Sequence, residues 1–99
     1  MKLPRLSSKE FLILDLLSGP GELYGMGLVT RSQGRLKRGT VYVTLHRMEE
    51  KGLVRSRVEE LEEPRAGLPR RLYRPTDRGL ALLRAMELAA LHLAAEDLA

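Results

Sequence analysis

The residues of this chain that could do chemistry are few. Its 99 residues contain no cysteine, which removes disulfides and thiolate metal sites. The two histidines, His46 and His92, have no carboxylate or thiolate partner at metal-ligand spacing and read as surface residues; no metal and no cofactor is implied. No nucleophile–base arrangement, phosphate-cradling glycine loop or paired acid stands out, so the chain does not read as an enzyme. What remains is a cationic set in LKRGTVYVTLHRMEEKGLV, residues 36–54. Wound at about 100° per residue, this stretch puts Val41, Leu45 and Met48 on one side. Thr40, Val43, Thr44, Arg47 and Lys51 fall on the other, behind Lys37 and Arg38, and the acids Glu49 and Glu50 come only at the far end. A solvated helix would mix its charges throughout. This one suits a polyanion.

Double-stranded DNA is the polyanion these residue types fit. Lysine mostly meets phosphate, whereas arginine can take guanine O6 and N7 together, a role open to Arg38 and Arg47. Thr40 and Thr44 can hydrogen-bond base edges or phosphates. Val43 either touches a thymine methyl or is an unremarkable exposed aliphatic residue. Overall charge is a weaker sign: 17 Lys and Arg against 13 Asp and Glu give a formal +4. Its distribution says more, with eight bases against two acids from Arg31 to Arg57 and five against one from Pro64 to Arg78. No 18-residue apolar run or charged-then-apolar leader occurs, so a cytoplasmic protein without membrane contact is expected.

The elements that would hold these residues can be read from punctuation and period. Ser7-Ser8-Lys9-Glu10 fits a capping box opening a helix, KEFLILDLLS, that is apolar almost all round and so buried on more than one side. Gly19-Pro20-Gly21 ends it, with glycine in the turn after the helix. A second helix is expected over Leu23 to Ser32 with Tyr24, Leu28 and Val29 inward, and with Gly25 and Gly27 where another helix passes close. The amphipathic third helix stops at Gly52. Then LVRSRVEE (53–60) alternates and RRLYRP (70–75) is short and rich in large residues, which reads as two antiparallel strands. LEEPRAGLP between them reads as a protruding loop, and Thr76 as the N-cap of a last helix from Asp77 almost to the C-terminus. The fold class is mainly α with a small β-hairpin: a winged helix-turn-helix over 1–76 and a C-terminal helix over 77–99.

These residues resemble a known family. GTVYVTLHRMEEKGLVRS followed by GLPRRLYRPTDRGLALL is similar to the PadR-type transcriptional regulators, through Gly39, Thr40, Tyr42, Leu45, Glu49, Glu50, Gly52, Leu53 and Val54, then Arg70, Arg71, Tyr73, Thr76 and Gly79. The likeness runs from about residue 8 to 83. The family's His-Gly-Tyr is Tyr24-Gly25-Met26 here, its Ser-Pro before Gly-Thr is Lys37-Arg38, its helix proline is Val43, and an aromatic residue before that turn is missing. The resemblance implies a dimeric repressor whose C-terminal helix builds the dimer interface. It also implies a DNA-backbone contact by the Tyr42 hydroxyl, against which stands a half-buried packing role.

Two regions keep alternatives open. Arg65, Arg70 and Arg71 either grip phosphates from the wing or are neutralised by Glu59, Glu60, Glu62 and Glu63 across the strands. Tyr73 is expected in the core. On the last helix, Leu82, Met86, Ala89 and Leu93 make one apolar stripe, and Leu80, Leu83, Ala90, Leu91, Ala94 and Leu98 make another. A helix apolar on two sides needs two partners, its own domain and a second subunit. Leu82, Met86, Leu88, Ala89, Leu91, Leu93 and Leu98 are the expected dimer residues. The expected function is a sequence-specific DNA-binding regulator, a repressor on a palindromic operator; the rival is a winged helix used to bind an acidic protein. A small-molecule effector is left open.

Overall fold

The computed structural model describes residues 5–61 and 69–98. Among these, four helices and three short strands follow in order: α1 Ser8–Leu17, β1 Leu23–Tyr24, α2 Gly25–Arg31, α3 Arg38–Glu50, β2 Val54–Val58, β3 Arg71–Pro75 and α4 Asp77–Leu98. The mainly helical class with a small antiparallel sheet is as expected, but the sheet has three strands in the order β1-β3-β2.

The third strand explains why the second helix is shorter than its sequence pattern. Leu23 and Tyr24 pair with Tyr73 and Leu72 of β3, so their backbone is extended and cannot also be helical. Tyr24 therefore does not form the inner face of α2. Its ring lies under the Arg70 guanidinium instead, 4.5 Å from it. Gly25 does sit where another helix approaches: a Cβ there would lie 2.7 Å from Cζ of Tyr42 on α3. Gly27 faces only the ring of Tyr24. After α2, the buried Ser32 donates to the Val29 carbonyl and accepts the Leu36 amide, which satisfies the polar atoms of the turn leading into α3.

α1 begins as a capping box, Ser7 Oγ accepting the Glu10 amide at 3.1 Å and Glu10 Oε1 accepting the Ser7 amide at 2.9 Å. At its other end Gly19 keeps an ordinary backbone, and the left-handed residue that turns the chain is Gly21. Ile13, Leu14 and Leu17 are buried, and Phe11, Leu12 and Leu16 pack against the core from the flanks, so α1 is enclosed from several sides. Around it the core takes Leu28 from α2, Val41, Leu45 and Met48 from α3, Tyr73 from β3, and Leu82 and Leu83 from α4. Leu82, expected at the dimer interface, is thus a core residue of its own subunit at 5% exposure. The first two turns of α4 cross the body beside α1, and both Leu82 and Leu83 are used there.

α3 is fastened at its C-terminal end. Lys51 follows it, Gly52 takes a left-handed φ of 75°, and the Gly52 and Leu53 amides return to the Glu49 and Met48 carbonyls. Thr76 then ties in α4: its hydroxyl donates to the Gly52 carbonyl at 2.6 Å and accepts the Gly79 amide at 3.0 Å, as an N-cap should. Gly79 has no side chain because a Cβ would meet the Leu53 carbonyl group. On the other side Lys51 Nζ reaches Glu10 Oε2 at 2.9 Å, with the glutamate side chain only 3% exposed.

Burial by itself pushes the Glu10 carboxyl up, but the Lys51 hydrogen bond, the Ser7 backbone amide and the Lys51 charge together hold it below the usual glutamate range. A carboxylate lowered in this way stabilises the fold above the ordinary glutamate range and loses that contribution as pH falls through its own lower value. Glu10→Gln should cost about 2 kcal/mol near neutrality, the size of a charge-assisted hydrogen bond. The gap between wild type and variant should close at acidic pH. Urea unfolding at a series of pH values measures both.

Candidate nucleic-acid interface

α3 presents three surfaces. Val41, Thr44, Leu45 and Met48 are buried. Directly opposite, at about 100° per residue, run Gly39, Val43, His46 and Glu50 in one outward column; Val43 is 59% exposed. Arg38, the first helical residue, and Lys37 before it are exposed, and the first turn carries no acid. That combination makes the leading end of the helix positive and open.

The two flanks of α3 differ. On one, Thr40, Val43, Thr44 and Arg47 line a shallow groove with Ser7, Ser8 and Lys9 from the start of α1. Lys9 joins the cationic surface here. On the other, Tyr42 is half exposed and lays its ring over Gly25, so it combines packing with an accessible edge. One expected contact, Thr44, is drawn down from the surface by geometry. Thr44 is only 9% exposed and its hydroxyl donates to the Thr40 carbonyl at 2.9 Å, so it lies at the groove's floor with its donor committed. Lys51, grouped by winding with the cations, is held by Glu10.

The hairpin's arginines divide: Arg55 and Arg74, partners across β2 and β3, are exposed and outside the salt bridges among the described residues, whereas Arg57, Arg70 and Arg71 are engaged. Arg70 makes two hydrogen bonds to the Glu59 carboxylate, at 3.4 and 3.3 Å, and stacks over Tyr24; Glu59 raises its pKa. Arg71 donates to Ser56 Oγ at 3.1 Å, and Ser56 donates in turn to Glu49 Oε2 at 2.8 Å. Of the two, Arg71 therefore lies nearer α3, linked to its last turn. Arg57 is bound by Glu22, whose carboxyl the Arg57 hydrogen bonds hold below its usual range. Arg65 lies outside the described residues. Tyr73 is buried in the core as expected, and that burial pushes its hydroxyl pKa up.

Neither histidine is as solitary as its sequence context implied. His46 pairs with Glu50 at 3.3 Å and His92 with Glu96 at 3.1 Å, each one helical turn on. Among the described residues no group of three or more His, Cys, Asp or Glu side chains gathers to hold a metal. Lys9 and His46 lie on these faces of α1 and α3 without having been expected among the DNA-binding residues. His46 was reachable from the same helical winding that picked Val43. Nothing local signalled Lys9, because only the tertiary packing brings the start of α1 beside α3.

Beyond the body, α4 continues without cover. Every residue from Met86 to Glu96 is exposed, including Ala89, and Leu88, Leu91 and Leu93 stand 66%, 67% and 61% open. The side chain of Leu98 lies outside the described residues. No described helix is long and apolar enough to cross a membrane.

A helix-turn-helix followed by a hairpin, with an open cationic helix at its front, defines a winged-helix transcription regulator. Residues 13–85 match the transcriptional regulator PadR-like family, and the chain belongs to it. Its members are transcription regulators and not enzymes. A PadR family transcription regulator from Clostridium difficile is similar in structure at a TM-score of 0.74 and 27% identity, over 86% of this chain and 88% of that one. A PadR family regulator from Eggerthella lenta gives 0.70 and 29%, over 92% and 78%. Bacillus subtilis PadR, in complex with operator DNA, shares the fold at 0.71 and 22% identity, over 81% of this chain and 47% of that one. Among curated proteins none matches.

These placements separate bound from available groups. Thr44→Val removes a hydroxyl already engaged, and Arg70→Ala removes a guanidinium already neutralised. Each should leave binding to a random-sequence duplex within about twofold and its salt slope unchanged. Fluorescence anisotropy across a salt series checks both.

Proposed function

We propose that this regulator is a cytoplasmic, homodimeric repressor that reads a palindromic DNA operator, with residues 1–76 as the DNA-binding unit and 77–99 as the dimerisation helix. The observation that carries the DNA reading is the front of α3. Lys37, Arg38, Thr40, Val43 and Arg47 are exposed there, and the first acid of the helix is Glu49, near its end. The operator complex of the similarly folded Bacillus subtilis protein supports the same assignment.

Within this reading, α3 lies in the major groove with its leading end foremost. Arg38 meets a base edge, and Val43 in the outward column lies against a thymine methyl. Arg47 and Lys9, on either side of the groove between α3 and α1, straddle the phosphate backbone, and Lys37 meets phosphate at the helix start. Tyr42 offers its hydroxyl to the backbone from its half-packed position. The wing contributes Arg71, with Arg65 beyond the described residues; Arg70 belongs to the hairpin's own cohesion.

If Arg38 reads a base, Arg38→Ala should cost about 1–3 kcal/mol on a selected duplex and relax preference at one position. Arg47→Ala or Lys37→Ala should weaken every duplex alike and reduce the salt slope by about 1 each. Selection from random DNA followed by salt-dependent isotherms separates these roles. Loss of neither affinity nor preference in any variant would count against α3 as the reading helix.

The dimer rests on α4. Its 22 residues span about 33 Å at 1.5 Å each, and the molecule's longest dimension is 60 Å against 29 and 24 Å across. Met86, Leu88, Ala89, Leu91 and Leu93 lie on the projecting part, and each leucine buried by a partner contributes about 1.5–3 kcal/mol. Leu98 is proposed to extend the same contact. A two-fold axis between such helices can set two α3 helices one DNA turn apart, about 34–36 Å. Leu93→Glu should give folded monomers by sedimentation, with unchanged winged-helix core, that still bind random DNA weakly. A variant that remains dimeric would show that Leu93 is outside the contact.

A further inference from the structure

The face of the sheet turned away from the core carries two charges that the roles above leave unused. Arg55 and Arg57 of β2 and Leu72 and Arg74 of β3 alternate onto that face, whereas Tyr73 between the last two is buried on the other. Arg55 and Arg74 stand directly opposite each other across the strands. Like charges so placed repel, with only about 4.5–5.5 Å between their Cα atoms. Both are exposed and outside the salt bridges among the described residues. Beside them, Arg57 takes both carboxylate oxygens of Glu22, at 3.0 and 2.6 Å. The Arg57 hydrogen bonds do most to lower the Glu22 carboxyl, and the charges of Arg74 and Arg55 add to them, so three cations act on one place. With Arg57 and Glu22 cancelling, two positive charges remain. Glu22, Arg55, Arg57, Leu72 and Arg74 are among the residues lining a cleft of about 260 Å³ there.

We propose that this cleft binds a small phosphate monoester, with Arg55 and Arg74 clamping the phosphate and Leu72 beneath its organic group. A phosphate monoester carries close to two negative charges near neutrality, which balances the pair. Guanidinium forks match phosphate oxygens two at a time, and forks from facing strands can take one phosphate between them. Binding also removes the repulsion across β2 and β3, so the ligand stabilises the sheet that holds it. A dicarboxylate has the same charge but divides it between two separated groups. The cleft is smaller than the roughly 300–1,000 Å³ usual for drug-sized ligands, which limits the organic part to a few atoms or one ring. Position separates this anion from the duplex. Ser56 is bonded to Glu49 in the last turn of α3. Arg55 therefore lies at the trailing end of a 13-residue helix whose leading end, about 20 Å away, carries Arg38. The site stands whether or not α3 reads DNA.

Titration calorimetry and thermal unfolding test this at about pH 8, where the monoester is a dianion, with ionic strength held constant by sodium chloride. The probes are phenyl phosphate, inorganic phosphate and succinate. The proteins are wild type, R55Q, R74Q and R47Q, the last removing a cation outside the cleft. Phenyl phosphate should bind wild type once per chain, more tightly than inorganic phosphate, with succinate weakest. At ten times its dissociation constant it should raise Tm by about 5 °C or more. R55Q and R74Q should each weaken it at least about tenfold, the loss of a charge-assisted hydrogen bond. Without ligand both should unfold no lower than wild type, because one member of a repelling pair is gone. R47Q should bind phenyl phosphate as wild type does. Wild type binding phenyl phosphate no better than R74Q, or no better than succinate, would overturn the inference. A ligand-free R55Q or R74Q less stable than wild type would overturn it too, since the two arginines would then already be paired. Binding of a random-sequence duplex should be unchanged in R55Q and R74Q. A salt slope reduced by about 1 in each would show that they meet the DNA backbone instead, and the small-ligand site would fall. A wild type that binds phenyl phosphate but no duplex would keep this site and overturn the DNA reading alone.

Discussion

The C-terminal end of α3 is the point on which the rest of the structure depends. Four chain segments meet there through polar groups that leave little play. Glu10, locked into the α1 cap, holds Lys51. Gly52 turns the chain, and Thr76 joins that turn to the start of α4 by accepting one amide and donating to one carbonyl. The missing side chain of Gly79 lets α4 close onto Leu53. A buried charge and a committed hydroxyl are costly to disturb, because each would be left unpaired away from water. The junction therefore orients α3 from its back end, and its front end is free to project.

The same economy of pairing limits where the molecule is positive. The composition is basic through the middle of the chain, but its cations divide into two populations. Lys51, Arg57 and Arg70 are bound by Glu10, Glu22 and Glu59, and serve cohesion between α1, α3 and the sheet. Lys37, Arg38 and Arg47 have no carboxylate partner within salt-bridge distance among the described residues, and remain available to solvent or to an anion. Arg31, Arg35, Arg55 and Arg74 are likewise exposed and outside the salt bridges among the described residues, so the positive surface extends from the leading part of α3 and the start of α1 to the end of α2 and the sheet. In the hairpin, Arg57 and Arg70 are engaged by carboxylates while Arg55 and Arg74 are not.

α4 divides along its length. Its first turns are spent on the core, through Leu82 and Leu83, while the turns beyond Met86 carry leucines that the body cannot reach. A small domain buries only part of its apolar surface. Thr76 links this helix to α3, since its hydroxyl bonds both the Gly52 carbonyl after α3 and the Gly79 amide of α4.

Much of the fold was legible in the sequence because its signals are local. The Ser7–Glu10 capping box, the Gly52 turn and the Thr76 cap act within a few residues of themselves, and the helical period of α3 follows from side-chain geometry alone. By the same period, the outward position of Val43 and His46 needed no structure. What only tertiary packing decided is which polar groups are already occupied. Winding α3 put Thr44 and Lys51 among the presented residues, but a helical wheel does not contain the Thr40 carbonyl or the Glu10 side chain that engage them. Tyr24 read as helical because propensity is local, whereas pairing with Leu72, 48 positions away in the chain, drew it into the sheet. Leu82 and Met86 belong to one stripe in sequence, and the edge of the folded body separates a core residue from an exposed one. Periodicity records which residues share a face; it does not record what that face meets.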